Sequence, residues 1–480
     1  MKRLSLAEAG RDDPNRVAVV SREGEITYAT LSARVERAAA WLGEQGVEPN
    51  ADQPVALLMS VDLPTIELFW ALAALGRPLL LLNERTNVAV RASLTERAGA
   101  LEVDHASYAR ARPALERRFA ATQALSPARA FAIVATSGTS GRPKLAVLSE
   151  GALLASAAAH YANTGVLDDD RWLLCLSPAH VGGLSILTRS LYSRRAVVLF
   201  EGGGPLRARM TELEGAIRTS RASFVSLVPT LLEDLLDAGF EPPPSLRALL
   251  LGGAGTNLRQ LEKAYHSRVP VLPSYGLTEG CSQIAARPYA ERFRAPEFSS
   301  PVPSSGRPLS GVKLRSSDAE RLEFSGPSLL SRYWDEPTPL TEDGYFRTSD
   351  RGYLTQGGEL VVLGRADDVI VTGGEKVDPL AVEAVLLAFP GIGAACAFGE
   401  PDPSFGHVVA AAVVSRAPVD TDALARHCAA RLAPHERPRL IASLEALSET
   451  QGGKLDRNDT RGMAAGRLCP LVSPKLNTSG

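Results

Sequence analysis

The sequence predicts an α/β protein: a large N-terminal body of parallel α/β sheets with a small β-rich subdomain, followed by a smaller, mobile α+β C-terminal domain. Three observations lead to this prediction. Short apolar strands alternate with helical patterns early in the chain, several strands open into glycine-rich loops, and the pattern changes beyond Arg365. Alternating strands and helices are typical of a parallel sheet covered on both faces. The 480 residues suffice for about three units of ordinary domain size.

Hydrophobic periodicity defines the first elements. Apolar residues recur at three- and four-residue intervals over residues 31–42, which is the spacing of one face of a helix. Residues 55–59 and 79–82 are apolar runs typical of buried strands, and residues 64–74 between them predict a helix. Four more apolar runs that lead into glycine or small polar residues are predicted strands, at 131–135, 171–176, 196–200 and 248–251. Open α/β sheets collect their ligand sites at such strand ends.

The second half of the chain predicts the β-rich subdomain and the C-terminal domain. Residues 288–308, rich in proline, serine and arginine, are expected to lead into the subdomain. Predicted strands lie at 320–324, 353–354, 359–363, 369–371, 394–399 and 408–414, and predicted helices at 379–387 and 421–432. We therefore predict three segments, which are a body (residues 1–363), a hinge (364–369) and a cap (370–480).

Composition excludes several classes of protein. The chain has 52 basic and 54 acidic residues, so its net charge of −2 gives no global attraction for nucleic acid or an anionic membrane. Five scattered cysteines show no zinc-ligand spacing and favour a reducing compartment. No apolar stretch reaches the roughly 20 residues that cross a bilayer. We predict a cytoplasmic protein that binds no nucleic acid and is not inserted in a membrane.

The sharpest local motif is the loop over residues 136–144, which reads Thr-Ser-Gly-Thr-Ser-Gly-Arg-Pro-Lys and follows a predicted buried strand. Its glycines allow unusual backbone angles and expose N–H groups, and its hydroxyls and lysine add donors for a polyphosphate. The spacing is not that of a Walker A loop, and a flexible surface turn is the alternative. The residues predicted to contact phosphate are Thr136, Ser137, Gly138, Thr139, Ser140, Gly141 and Lys144.

Four later segments complete an ordered set with this loop. They are Ser-Tyr-Gly-Leu-Thr-Glu at 274–279, Thr-Ser-Asp at 348–350, Gly-Arg-Ala-Asp-Asp-Val-Ile at 364–370 leading to Gly-Gly-Glu-Lys-Val-Asp-Pro at 373–379, and Gly-Gly-Lys-Leu-Asp-Arg at 452–457. Together the five segments resemble the signatures of the adenylate-forming superfamily, which includes acyl- and aryl-CoA synthetases, peptide-synthetase adenylation domains and luciferases. The resemblance covers residues 130–460. Leu145, Ser349 and Glu150 depart from the usual glycine, glycine and histidine.

The resemblance implies a nucleotide site for ATP and Mg²⁺. Glu279 would contact Mg²⁺, which prefers oxygen ligands. Thr278 would bind the α-phosphate, Tyr275 would flank the adenine, and Asp350 would accept both ribose hydroxyls with Arg365 nearby. The resemblance also places Ser274, Gly276 and Gly253 in the nucleotide site.

The family joins a carboxylate to AMP, releases pyrophosphate, and then passes the acyl group to a thiol. Lys454 is the expected catalyst of adenylation, because its ammonium would stabilise the charge that develops between the carboxylate and the α-phosphate. The alternative for a lone exposed lysine is a solvated charge. Asp367 matches the hinge about which the family's small domain rotates, and hinge residues absorb backbone change without touching substrate. The resemblance implies coenzyme A as the thiol, although a carrier protein stays open.

The segment over residues 178–189 resembles the acyl pocket of o-succinylbenzoate–CoA ligases of menaquinone biosynthesis. Arg189 would pair with the carboxylate that does not react, and its alternative is a surface residue. His180 would line the pocket, or else be a satisfied core histidine, and Gly252 is expected to border the acid. Gly182 replaces the usual serine.

The sequence predicts an acid–CoA ligase with o-succinylbenzoate as the preferred acid. Another aryl or medium-chain acid is the first alternative, and a non-catalytic relative that binds a nucleotide or a partner protein is the second. The expected partners are the carboxylic acid and coenzyme A. A monomer and a homodimer both stay open.

Overall fold

A computed structural model describes residues 3–119, 126–136, 143–253, 255–295, 302–415, 418–449 and 455–471. The α-helices of these residues are α1 (Leu6–Asp12), α2 (Tyr28–Glu44), α3 (Leu63–Ala74), α4 (Val88–Ala98), α5 (His105–Ala111), α6 (Glu150–Thr164), α7 (Val181–Ser193), α8 (Met210–Thr219), α9 (Pro229–Asp237), α10 (Leu258–His266), α11 (Pro379–Leu387), α12 (Thr421–Ala429) and α13 (Arg457–Ala464).

The strands of the described residues are β1 (Val17–Ser21), β2 (Gly24–Thr27), β3 (Val55–Met59), β4 (Leu79–Asn83), β5 (Leu101–Glu102), β6 (Ala130–Thr136), β7 (Lys144–Ser149), β8 (Arg171–Leu174), β9 (Ala196–Leu199), β10 (Phe224–Leu227), β11 (Ala248–Leu251), β12 (Val271–Leu277), β13 (Ser282–Ala286), β14 (Arg307–Pro308), β15 (Lys313–Ser316), β16 (Arg321–Ser325), β17 (Arg332–Tyr333), β18 (Phe346–Leu354), β19 (Leu360–Arg365), β20 (Ile370–Thr372), β21 (Glu375–Val377), β22 (Ile392–Asp402), β23 (Gly406–Ser415), β24 (Leu440–Ser443) and β25 (Cys469–Pro470).

Two mixed sheets form the body. One has nine strands in the order β14-β13-β12-β11-β10-β8-β9-β1-β2, and the other has six in the order β17-β7-β6-β4-β3-β5. The central pairs of both sheets are parallel, whereas β1–β2, β12–β13, β13–β14, β6–β7 and β7–β17 are antiparallel. The predicted α/β class with a parallel core is confirmed, and the antiparallel pairs lie toward the sheet edges.

The body has one hydrophobic core between its two sheets and a further core on the outer face of each sheet. Leu79 and Leu81 of β4 lie in the same core as Trp172 of β8, although β4 and β8 belong to different sheets. Their neighbours Leu80 and Leu173 point the opposite way, into separate outer clusters. Side chains of a strand alternate between faces, so uniformly apolar strands supply two cores at once. The shared core fixes the two sheets relative to each other.

The β-rich subdomain and the cap complete the fold. The subdomain is an antiparallel sheet in the order β15-β16-β18-β19, and the cap holds a four-stranded sheet, β22-β23-β24-β25, with the hairpin β20-β21. A separate hydrophobic core fills the cap, from Ile370 to Leu471. Helix α11 begins at Pro379, the first position after its N-cap Asp378, where proline costs no hydrogen bond.

Several boundaries differ from the sequence prediction; for example, the strand predicted at 353–354 is the end of β18, which begins at Phe346. The strand predicted at 171–176 ends at Leu174, and the helix predicted at 421–432 ends at Ala429. Thr136 and Lys144, the two ends of the predicted loop, pair with each other on the antiparallel strands β6 and β7. Of the described residues, none forms a helix that is long and apolar enough to cross a membrane.

Candidate active site

The candidate site lies where β12 ends and the chain reverses into β13. A single 3₁₀ turn at Thr278–Gly280 makes the reversal, and Thr278 begins it. A Cβ atom on Gly276 would lie 2.1 Å from the carbonyl oxygen of Ser282, so only glycine fits here. Ser282 itself has a φ of 100°. This tight reversal places Glu279 just beyond the end of a parallel strand, as open α/β sheets place ligand groups.

Glu279 is held by two hydrogen bonds, one from Tyr333 of β17 and one from Leu330, which precedes β17. The hydroxyl of Tyr333 donates to Oε1 of Glu279 over 2.6 Å, and the amide of Leu330 donates to the carbonyl oxygen of Glu279 over 2.7 Å. Burial and the charge of Glu279 raise the pKa of Tyr333 far above its ordinary value, so the phenol remains a donor. One carboxylate oxygen of Glu279 is thereby oriented.

A second contact joins β12 to the β-rich subdomain. The hydroxyl of Tyr275 donates to Oδ2 of Asp350 over 2.6 Å. Burial, followed by the charge of Asp350, raises the pKa of Tyr275 well above its ordinary value. Asp350 faces Arg365 across the β18–β19 pair, and the amide of Asp350 donates to the hydroxyl of Thr348. The carboxylate of Asp350 is therefore held by the phenol of Tyr275, and Arg365 occupies the facing position on the neighbouring strand.

Strands β11 and β12 form the neighbouring wall. The hydroxyl of Ser274 donates to the carbonyl oxygen of Leu251 over 3.0 Å. A Cβ atom on Gly252 would lie 3.0 Å from that hydroxyl oxygen, and Gly253 has a φ of 85°. The two glycines therefore keep the space beside Ser274 free of side chains.

Lys144 lies close to the Glu279 group. Its Nζ is 2.9 Å from Oε2 of Glu336 and 5.0 Å from the centre of the Tyr333 ring. Tyr333 thus touches both Glu279 and Lys144, which brings the phosphate-loop lysine and the predicted metal contact to one place. Thr136, at the other end of the hairpin, pairs with Lys144. Residues Ser137, Gly138, Thr139, Ser140 and Gly141, together with Lys454, lie outside the described residues.

A metal ion at this place would have Glu279 as its protein ligand. No group of three or more histidine, cysteine or acidic side chains able to hold a metal occurs among the described residues. Mg²⁺ is commonly held by one or two carboxylates and substrate phosphates, so one oriented carboxylate beside a phosphate loop fits the predicted ion.

His180 and Asn83 connect the two sheets near the predicted acid pocket. His180 is the N-cap residue of α7, and its Nε2 lies 3.0 Å from Nδ2 of Asn83, the last residue of β4. The imidazole is half-buried at the carboxyl end of a parallel strand. This position agrees with a pocket wall and also with a hydrogen-bonded core histidine, so both interpretations of His180 remain.

Arg189 is buried, with 1% of its surface exposed, and the surface alternative is therefore wrong. Its guanidinium carbon lies 5.8 Å from the centre of the Trp172 ring. Nε and Nη2 are buried without a hydrogen-bonding partner, and burial lowers the pKa of Arg189 to about 10. The ring of His160 lies against the same tryptophan, and burial together with the Arg189 charge holds its pKa well below the ordinary value. Arg189 is thus a cation without a carboxylate among the described residues.

In the predicted hinge, residues 364–369, Asp367 lies 4.0 Å from Arg365, measured from Oδ2 to Nη2. Both side chains are partly exposed. Gly364 has a φ of 117° and lies against Leu380 of the cap. The hinge thus contains a backbone conformation that favours glycine, directly beside the first helix of the cap.

The sequence did not predict three residues that contact the candidate site residues: Tyr333, Glu336 and Asn83. The first two lie in the run Ser-Arg-Tyr-Trp-Asp-Glu at 331–336, which carries no spacing typical of a site. Asn83 ends an apolar strand, and a polar residue in that position was the one available signal.

Two family matches cover most of the chain. Residues 6–101 and 86–334 match the family described as AMP-binding enzyme, and residues 381–454 match the AMP-binding enzyme C-terminal domain. The chain belongs to the AMP-binding enzyme family. This confirms the family predicted from the five ordered segments.

Relatives of this family member include 2-succinylbenzoate–CoA ligases. Those of Bacillus licheniformis and Bacillus mycoides are each 31% identical to it, over 93% of this chain and 96% of their own lengths. Among solved structures, o-succinylbenzoate CoA synthetase (MenE) from Bacillus subtilis in complex with the acyl-adenylate intermediate OSB-AMP matches with a TM-score of 0.85 at 27% identity, covering 95% of this chain and 97% of that one. The same enzyme in complex with ATP and magnesium ion matches at 0.84 and 26%, over 96% and 99%.

A third solved structure matches with a lower overall TM-score. A double mutant of the Bacillus subtilis enzyme, bound with its product analogue OSB-NCoA, matches with a TM-score of 0.71 at 27% identity, over 98% of this chain and 100% of that one. The fold is the same, but the overall superposition is poorer.

Proposed function

We propose that the chain is an AMP-forming acid–CoA ligase that adenylates o-succinylbenzoate and then transfers the acyl group to coenzyme A. The observation that carries the proposal is a pair of anchored carboxylates. Glu279, just after β12, is bound by Tyr333, and Asp350 of β18 is bound by Tyr275 of β12, with Lys144 close to the first. One carboxylate suits a magnesium ion, and the other suits the hydroxyls of a ribose. The similarity to 2-succinylbenzoate–CoA ligases over 93% of the chain supports the choice of acid.

Each of the nucleotide residues would bind a different part of ATP, according to its charge. Asp350 accepts from the ribose hydroxyls, Tyr275 flanks the adenine, and the glycines of β11 and β12 leave room for the base. Lys144 and the phosphate loop bind the phosphates, and Thr278 holds the α-phosphate. Mg²⁺ bound at Glu279 would neutralise phosphate charge. These contacts orient ATP with the α-phosphate toward the acid.

In the proposed reaction, an oxygen of the acid's carboxylate forms a bond to the α-phosphorus, and the bond to the pyrophosphate oxygen breaks. Lys454 would stabilise the negative charge that grows between the two anions. The thiol sulfur of coenzyme A then bonds to the acyl carbon, its proton leaves, and AMP departs. Both steps need the cap to change orientation about residues 364–369, with Asp367 as the hinge residue. This rests on the proposed division into body, hinge and cap.

The buried, unpaired guanidinium of Arg189 favours a substrate with two carboxylates. A buried guanidinium without an anionic partner is costly, and a carboxylate delivered by the substrate would compensate it. His180 and Gly252 would border the reacting end of the acid, and Gly182 would leave space where related pockets carry serine. A homodimer and a cytoplasmic location stay predictions.

The test is pyrophosphate release with a panel of acids, using the purified full-length chain, ATP and Mg²⁺. We expect release with o-succinylbenzoate and loss of release in Lys454→Ala, with ATP binding kept. Release with a different aryl or medium-chain acid alone would refute the choice of substrate. An absence of release with every acid, together with retained ATP binding, would favour the non-catalytic relative.

A further inference from the structure

The ammonium of Lys144 has two neighbours on the segment that begins with β17. Its Nζ lies 2.9 Å from Oε2 of Glu336 and 5.0 Å from the centre of the Tyr333 ring. The hydroxyl of the same tyrosine donates to Glu279, the predicted metal contact. The lysine that is predicted to bind phosphate is therefore paired with a carboxylate to which the proposed function gives no role.

Sheet pairing places the chain around Glu336 beside the chain around Lys144. Strands β17 and β7 are antiparallel neighbours, and Lys144 is the first residue of β7. Beyond the end of β17, the amide of Trp334 donates to the carbonyl oxygen of Leu145 over 2.8 Å, which continues the pairing toward Lys144. The two segments thus run alongside each other as far as the ion pair.

Arg97 of α4 binds both segments directly before the paired residues. Its Nε and Nη2 donate to the carboxylate of Asp335, and its Nη1 donates to the carbonyl oxygen of Pro143 over 2.9 Å. The Arg97 side chain is largely buried, with 14% of its surface exposed. One guanidinium therefore holds the positions that precede Glu336 and Lys144, so the backbone itself places this carboxylate beside this ammonium.

The ion pair is partly withdrawn from solvent. The side chains of Lys144 and Glu336 are 33% and 32% exposed, respectively. Attraction between partly buried charges is stronger than attraction between the same charges in water. A phosphate group that binds Lys144 must therefore compete with the Glu336 carboxylate for the same ammonium.

We infer that Glu336 is the counter-ion of Lys144 before a nucleotide binds, and that it weakens the binding of polyphosphates by competing with them for the lysine. Glu336 acts through Lys144, so it is a positioning residue. The inference rests on the part of the proposed function in which Lys144 binds phosphate. Weaker binding of pyrophosphate favours the release of this product, which adenylation forms in every turnover.

Calorimetric titration of the full-length chain with pyrophosphate or ATP, each in the presence of Mg²⁺, measures this competition without turnover. Glu336→Gln should lower the Kd of both ligands by about two- to fivefold, as expected when a competing, partly exposed ion pair is removed. Glu336→Asp keeps the negative charge and should stay closer to the wild type. Adenosine has no phosphate, so its affinity should be the same in Glu336→Gln and in the wild type.

A double-mutant cycle tests whether the effect of Glu336 passes through Lys144. Lys144→Gln should weaken the binding of pyrophosphate. When Glu336→Gln is added to Lys144→Gln, most of the gain in affinity should disappear, because the carboxylate then has no ammonium to withhold from the ligand.

A matched control comes from helix α8. Glu214 pairs with Arg218 over 3.1 Å, and the Glu214 side chain is 30% exposed, close to the value for Glu336. Glu214→Gln therefore makes the same change of charge at a similar exposure, and it should alter neither Kd. Raising the salt concentration should narrow the difference between the wild type and Glu336→Gln, because salt screens partly exposed pairs.

Three results would overturn the counter-ion role and leave the ligase function intact. They are unchanged or weaker binding of pyrophosphate by Glu336→Gln, an equal change in the affinity for adenosine, and a full gain in affinity in the Lys144→Gln background. The ligase function is tested separately, by pyrophosphate release with the panel of acids. If no acid is adenylated while Glu336→Gln still binds pyrophosphate more tightly, the ligase proposal fails and the role of Glu336 stands.

Discussion

Replacing Arg189 by methionine should make the protein more stable and a worse enzyme. The guanidinium is buried without a carboxylate partner among the described residues, and two of its nitrogens make no hydrogen bond. Methionine has a similar reach and no charge, so it can fill the same space against Trp172. The variant tests whether the structure keeps an unfavourable charge for a substrate.

The expected change in the free energy of unfolding follows from the pKa of Arg189 and from the contact of its guanidinium with the Trp172 ring. Burial lowers the pKa of Arg189 to about 10, which corresponds to roughly 3 kcal/mol against the charged form. Because the folded pKa lies below the unfolded one, this penalty is present at every pH below about 10 and is therefore complete at pH 7. Loss of the contact with the Trp172 ring costs about 1 kcal/mol. The net gain should be about 2 kcal/mol, within the range for replacing buried charges by apolar groups.

Two measurements test this prediction. Urea unfolding at pH 7, followed by tryptophan fluorescence, gives the change in free energy of unfolding. Pyrophosphate release gives kcat/KM for o-succinylbenzoate and for its analogue that lacks the carboxylate that does not react. Arg189→Met should lower kcat/KM for the dicarboxylate by at least about thirtyfold, the cost of losing one partner of a buried charge pair, and leave the analogue unchanged.

The reasoning would be refuted by a less stable variant that still discriminates between the two acids. Loss of activity with both acids to the same extent would also contradict it, because that result indicates a structural role for the arginine. Adding o-succinylbenzoate should stabilise the wild type more than the variant, since a ligand stabilises the state that binds it.

Three further predictions concern the nucleotide site and the hinge. Tyr333→Phe removes the 2.6 Å bond to Glu279 and should raise the Mg²⁺ concentration for half-maximal activity about tenfold; an unchanged magnesium titration would contradict it. Gly276→Ala places a Cβ atom 2.1 Å from a carbonyl oxygen, so it should cost at least about 2 kcal/mol of stability and abolish ATP binding in calorimetry. Gly43→Ala, in helix α2 with open space around it, should cause no loss of stability or of ATP binding. Burial raises the pKa of Asp378 to about 6, so stability should rise as the pH falls from 7 to 5. Asp378→Asn should remove this dependence and gain about 2 kcal/mol at pH 7.5; parallel pH profiles of urea unfolding for the two proteins would disprove it.

Most elements could be predicted from the sequence because their signals are local. The apolar run at 55–59 forms a strand over those residues, and the helix predicted at 379–387 has those bounds in the structure. In the second case Asp378 and Pro379 mark the helix start by capping and by a preset φ angle. Ends that no local signal marks were less accurate, as at residues 430–432, where the helix pattern continues but the helix does not.

The nucleotide residues were recognisable for a similar reason. The chain reversal after β12 requires glycine at position 276, and the carboxylate of Glu279 follows three residues later. The backbone requirement and the functional group therefore lie in one short segment. Their partners were not recognisable. Tyr333 is 54 positions from Glu279 in the chain, and Asp350 is 75 from Tyr275. Such contacts are made by sheet pairing and by packing of separate units, and neither of these produces a periodic pattern in the sequence.

The sequence by itself thus determined the α/β class, the order of the elements, the family and the types of group that the site needs, because periodicity, turn chemistry and short motifs are local properties of the chain. Only the tertiary structure decided the environment of each charge. It buried Arg189 without a partner, and it joined Arg207 of the body to Glu449 of the cap. Burial and ion pairing depend on residues that are distant in sequence, and these two properties decide whether an arginine is a solvated charge, one member of an ion pair or a buried charge without a partner.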